Sequence, residues 1–122
     1  MQRIQIGLVG LGTIGGGLLA LLNENAKLIA RRTGIEFQIT RVADKDTAKF
    51  SKLKNVKASA DYKDIINDPD IQIVVELTGG VDFPWNLFQE TVESCKQLVT
   101  ANKALLSKKI LSMFELSSEN NE

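Results

Sequence analysis

The sequence predicts an α/β protein built on one doubly wound parallel sheet with helices on both faces. Three observations lead there. Apolar runs of strand length alternate with runs of helical period. Two of the strand-like runs suit the middle of a sheet, the one at 3–9 because it alternates and then becomes continuously apolar, and the one at 71–77 because its apolar β-formers are nearly unbroken. A glycine-rich turn joins the first strand to the first helix. Right-handed crossovers then leave few arrangements other than a parallel sheet, which takes ligands at the carboxyl ends of its strands.

The first strand is Arg3 to Val9, stopping at Gly10. From Thr13 the period becomes helical, with Ile14, Leu18, Leu21, Leu22, Leu28 and Ile29 as the apolar face. Arg31 and Arg32 suit the negative end of the helix dipole, and Gly34 can take the left-handed conformation that ends helices. Ile35, Phe37 and Ile39 alternate with polar residues, and Val42 and Ala43 carry this second strand to Asp44. Residues 45–60 read as an exposed connection on the sheet edge, with a short strand at Val56 to Ser59. Asp61 caps a short helix to Asn67. Ile71, Ile73, Val74, Val75 and Leu77 form the most buried strand, which ends at Thr78, Gly79 and Gly80. A helix over Pro84 to Cys95 follows, with Leu87, Phe88, Thr91, Val92 and a half-buried Cys95 on one face, and then a strand at Gln97 to Thr100. Asn102 caps a last helix through Ala104, Leu105, Ile110, Leu111, Phe114 and Leu116, before a polar tail.

At 122 residues, without repeats, the chain suits one domain, 1–122. Fifteen basic residues balance fifteen acidic ones, so no global field draws it to nucleic acid or to a membrane, and a small-molecule partner is expected. Histidine is absent, which removes the usual general base and the commonest metal ligand, and no metal site is expected. One cysteine, Cys95, cannot form an internal disulfide and suits a reducing cytoplasm. The apolar stretch at 4–22 imitates a signal peptide or anchor, but six of its positions are glycine and no cleavage-site pattern follows.

Gly10-Leu11-Gly12-Thr13-Ile14-Gly15 has G-x-G-x-x-G spacing and lies after a strand, at the opening of a helix. In that position the turn implies a Rossmann-type fold and a dinucleotide. Gly10 permits the tight turn, Gly12 removes a side chain from the path of the diphosphate, and Gly15 lets the helix pack closely, while free N–H groups at the helix start hold the phosphates. The alternative is that these glycines only allow close packing. Asp44 closes the second strand, where a carboxylate can accept hydrogen bonds from the adenosine ribose. It falls 29 residues past Gly15, beyond the usual ~20, and a plain solvated aspartate stays open. Its charge would repel a ribose 2′-phosphate, which favours NAD over NADP, although Lys45 and Lys49 offer compensation. Thr78, Gly79 and Gly80 are expected at the nicotinamide end of the same crevice, or else form an ordinary strand-to-helix turn.

The strings GLVGLGTIGGGLLALL, VADKD, VVELTGG at 74–80 and VTANKALLS at 99–107 together resemble homoserine dehydrogenases over nearly the whole chain. The resemblance implies NAD- or NADP-dependent interconversion of L-homoserine and L-aspartate 4-semialdehyde, in threonine, methionine and isoleucine biosynthesis. It also implies that Lys103, the lysine of TANK, touches the nicotinamide and the reacting hydroxyl region as a catalytic group. A surface lysine in a first helical turn is the plainer alternative. Members of that family continue into a substrate domain that supplies a second lysine and acidic residues for homoserine. The chain stops short of these, so it is expected to bind dinucleotide without turnover alone. Full-length members are expected to be homodimers. One departure is Ser94-Cys95-Lys96-Gln97, where the family usually shows a glycine and a histidine, so the tightness of that turn is in question. Two other readings remain: the cofactor domain of another amino-acid or semialdehyde dehydrogenase, and a non-catalytic NAD(H)-sensing module.

Overall fold

The computed structural model describes residues 2–53, 55–78, 80–100 and 116. In chain order these form β1 (Gln2–Val9), α1 (Thr13–Thr33), β2 (Ile35–Ala43), a 3-10 turn (Thr47–Lys52), β3 (Lys57–Ser59), α2 (Lys63–Ile66), β4 (Ile71–Glu76), α3 (Asp82–Glu93) and β5 (Gln97–Thr100). All pairings are parallel, in the order β3-β2-β1-β4-β5. The chain winds outward from β1 to β3, then returns to place β4 on the other side of β1. That reversal is the switch point of a Rossmann-like α/β fold, and it opens a crevice beyond the carboxyl ends of β1 and β4.

Two apolar layers sandwich the sheet. Leu18, Leu19 and Leu22 of α1 pack on Ile6, Leu8, Ile39, Val42 and Val75. On the opposite face, Ile65 of α2 and Leu87 of α3 cover Val9, Ala43, Ile71 and Val74. Two bulges reconcile this with the sequence. Ile6 pairs with Ile39 but Gly7 with Arg41, so Thr40 is an extra residue, and Ile39 and Val42 reach the same face. Similarly, Gln5 pairs with Ile71 and Ile6 with Ile73, so Gln72 is extra, and Ile71 and Val74 share the other face.

Helix α1 ends as expected at Gly34, which has φ 74° and donates to the Ala30 carbonyl at 2.9 Å. Its apolar face differs from expectation. Leu21 and Leu28 are exposed, while Leu19 packs on the sheet. Contact between Gly15 and the turn below it sets the rotation of the helix, and Leu21 and Leu28 lie about 120° or more around it.

The connection at 45–60 is less exposed than expected. Phe50, Leu53 and Val56 pack against the α1-side core, and Asp46 starts the 3-10 turn by accepting from the Ala48 amide. Asp61 accepts from the Lys63 amide at the start of α2, which is a single turn.

Cys95 is not a half-buried member of α3. The helix ends at Glu93, and Cys95 is exposed with φ 59°. Its amide donates to Val92 and the Lys96 amide to Thr91, the hydrogen-bond pair of a Schellman motif, with cysteine in the left-handed position where glycine is favoured. The turn is therefore as tight as a glycine would make it, and the cost falls on the backbone. Cys95→Gly is expected to raise unfolding free energy by about 0.5–1 kcal/mol, from relief of the left-handed strain less the added freedom of the unfolded chain. Urea unfolding checks this, and a loss of stability would show that the strain is not there.

The expected helix from Asn102, with Lys103, lies outside the described residues except for Leu116, which is helical. Among the described residues no helix is long and apolar enough to cross a membrane.

Candidate functional site

The site is built around the turn between β1 and α1. Gly10 has φ 98° and donates to the Ala43 carbonyl at 2.8 Å. A Cβ there would lie 3.0 Å from the Leu77 carbonyl carbon and from Thr78 Cγ2. A Cβ on Gly15 would lie 2.5 Å from the Gly10 carbonyl oxygen. Both positions thus exclude side chains, one for the turn and one for the approach of the helix. Gly12 differs, because a Cβ there would meet nothing within 4 Å.

That open space adjoins the start of a 21-residue helix with no side-chain cap. The first intrahelical bond runs from the Gly16 amide to the Gly12 carbonyl at 2.8 Å. The amides of the preceding turn, those of Thr13 and Ile14 among them, are left to whatever occupies the space. Partial positive charge from the helix dipole concentrates at the same point, which favours an anion there.

Asp44 is placed beside this turn, but it does more than face a ligand. Its Oδ2 accepts from the Leu11 amide at 2.6 Å and its Oδ1 from the Asp46 amide at 2.8 Å, with Lys49 Nζ 3.5 Å from Oδ2. Burial pushes this carboxyl up, yet the two amides and Lys49 outweigh it and hold the group below the usual aspartate range. Asp44 is therefore charged at neutral pH and clamps the glycine turn to the end of β2. The Leu11 amide is engaged in this clamp rather than free, and the Leu11 side chain is part of the core.

Gly10, Gly12, Asp44 and Thr78 converge on one cleft of about 420 Å³, with Lys45 and Lys49 at its rim. Tyr62 and Phe83, to which the sequence reading gave no role, line it as well. Their rings meet edge-on at 5.1 Å. Burial and the Glu90 carboxyl push the Tyr62 phenol up to about 12, so it stays a neutral donor. Gly80, with φ 80°, is in the turn before α3 and is not among the residues lining the cleft. Gly79 and Lys103 lie outside the described residues. A separate hollow of about 580 Å³ borders Ala30, Arg31 and Glu36 near the far end of α1, away from the strand ends.

Sequence reasoning also passed over Glu76. It is fully buried at the end of β4, where it accepts from the Thr78 amide at 2.6 Å, the Thr78 hydroxyl at 2.7 Å and the Thr100 hydroxyl at 2.6 Å. The signal available was an acid closing an otherwise apolar strand.

Comparison with known proteins agrees with this geometry. A family model described as the NAD binding domain of homoserine dehydrogenase matches residues 10–122. A homoserine dehydrogenase of Methylobacillus glycogenes is 42% identical over 88% of this chain and 26% of its own length. One from Helicobacter pylori is 41% identical over 87% of this chain and 25% of its own. The crystal structure of a homoserine dehydrogenase from Thiobacillus denitrificans superposes with a TM-score of 0.91 and 37% identity, covering 98% of this chain and 28% of that one. The chain thus spans about a quarter of the length of the curated relatives it matches.

Proposed function

The chain belongs to the homoserine dehydrogenase NAD-binding domain family, and from that premise we propose that residues 1–122 act as one dinucleotide-binding domain serving the interconversion of L-homoserine and L-aspartate 4-semialdehyde. The observation that carries this reading is the open space at Gly12, against an uncapped helix start. A diphosphate fits there by charge and by hydrogen bonding, through the amides of Gly12, Thr13, Ile14 and Gly15. Asp44 receives the adenosine ribose, and Tyr62 and Phe83 give the same cleft an apolar wall.

The bound nicotinamide supplies hydride chemistry between an alcohol and an aldehyde. This chain's part is to hold the dinucleotide in one orientation with Thr78 in the cleft, and Gly79, Gly80 and Lys103 are assigned to the reacting end. Lys103 is assigned to the hydroxyl region of the substrate. Residues beyond this chain complete homoserine binding in a homodimeric, cytoplasmic enzyme of threonine, methionine and isoleucine biosynthesis, and the 122-residue chain binds dinucleotide without turnover.

NAD is assigned ahead of NADP, because an ionised Asp44 in the cleft repels a 2′-phosphate, with Lys45 and Lys49 in the same lining as partial compensation. Asp44→Asn keeps an acceptor for the Leu11 amide while removing the charge. It is expected to lower NAD affinity about tenfold relative to NADP, measured by titrating with each nucleotide the fluorescence of Trp85, the chain's one tryptophan, in the first turn of α3. Equal weakening of both nucleotides would reduce Asp44 to a clamp for the turn.

A further inference from the structure

A buried carboxylate is costly at the end of a strand that otherwise reads Ile-Gln-Ile-Val-Val, and a well-packed apolar residue would serve stability as well or better. Glu76 has no exposed surface, yet among the described residues it accepts hydrogen bonds of 2.6–2.7 Å from the Thr78 amide, the Thr78 hydroxyl and the Thr100 hydroxyl. Two come from Thr78, in the turn between β4 and α3, and one comes from Thr100, the last residue of β5 and its register partner. Both oxygens are used, one on each strand end. The Thr78 methyl is left facing Gly10, 3.0 Å from where a Cβ there would stand, so the same carboxylate also sets how the β4 turn meets the β1 turn. Beyond Thr100 the chain runs directly into Ala101, Asn102 and Lys103.

We propose that Glu76 is a positioning residue: its buried carboxylate ties the Thr78 turn to Thr100, fixing the spacing of the two strand ends that flank the nicotinamide side of the crevice. The proposal rests on the dinucleotide reading above. Glu76 lies across β1 from Asp44, so it bears on one half of the ligand and not on the other. A general loss of stability would instead weaken binding of both halves alike.

The test is calorimetric titration of the 122-residue chain and its Glu76→Gln variant with ADP, which fills the Asp44 and glycine-turn half, and with NAD, which fills both halves. Glutamine keeps the shape but sets an amide against donors that a carboxylate accepted. Glu76→Gln is expected to lose about tenfold in NAD affinity while ADP affinity stays within about twofold. A Thr100→Val variant, which removes one donor and keeps the side-chain volume, is expected to lose about threefold for NAD alone, and it decides the matter if the glutamine variant does not fold. Parallel loss of ADP and NAD, or no loss of either, overturns the role of Glu76 and leaves the dinucleotide reading standing. Failure of the unaltered chain to bind ADP or NAD removes that reading, and this proposal with it.

Discussion

Gly12→Val is expected to abolish dinucleotide binding, by about a hundredfold or more in affinity, at a cost of no more than about 1 kcal/mol in stability. The backbone at Gly12 has φ −93° and ψ −159°, an extended conformation that valine adopts readily, and a Cβ there meets no protein atom within 4 Å. The fold therefore gives no reason for glycine at this position. The ligand does, because the valine methyl groups would stand where a diphosphate must approach the first-turn amides. Nucleotide titration together with urea unfolding separates the two effects. A valine variant that binds as well as the unaltered chain would show that the space at Gly12 is not the binding site.

Gly15→Ala is expected to do the reverse in stability, costing about 2–3 kcal/mol. Its Cβ would fall 2.5 Å from the Gly10 carbonyl oxygen, a backbone atom that cannot swing aside. To relieve the clash α1 must lift from the turn, which also shifts its leucines against Leu8 and Val42 and moves the first-turn amides. Binding is therefore lost along with stability. Gly16→Ala is the control, since a Cβ at Gly16 meets nothing within 4 Å and alanine favours a helix. Denaturation midpoints for the pair check this. Equal stability of the two variants would mean that the helix does not depend on close approach at Gly15.

The parts of this fold that were legible in the sequence are those set by local chemistry. The periods of β1 and α1, the glycine at the end of α1 and the spacing of Gly10, Gly12 and Gly15 each act within a few residues, and the structure follows them. What escaped depends on distant partners. The extra residues Thr40 and Gln72 change which face their strands present, and this shows only once β1 is paired beside them. Leu21 and Leu28 satisfy a helical period, but the rotation of α1 is chosen by the Gly15 contact, which leaves them in solvent. Cys95 carries no glycine signal, because the Schellman hydrogen bonds impose the left-handed backbone on a residue that does not favour it.

The candidate site divides in the same way. Asp44 was located by its place at the end of β2, but its hold on the Leu11 amide spans 33 residues and could not be read from either segment. Glu76 looked like one polar letter in an apolar string, since one of the hydroxyls that make its burial tolerable arrives from Thr100, 24 residues away. Tyr62, just before α2, and Phe83, in α3, meet only in the folded cleft.

Amide chemical-shift mapping of the isotope-labelled chain during addition of NAD addresses the binding turn itself. The account predicts that the largest changes fall on Gly12 to Gly15, with smaller ones at Asp44 and Thr78, and that AMP, lacking the second phosphate, reproduces them only weakly. Large shifts confined to other surfaces, with the amides of residues 12–15 unmoved at saturation, would contradict it.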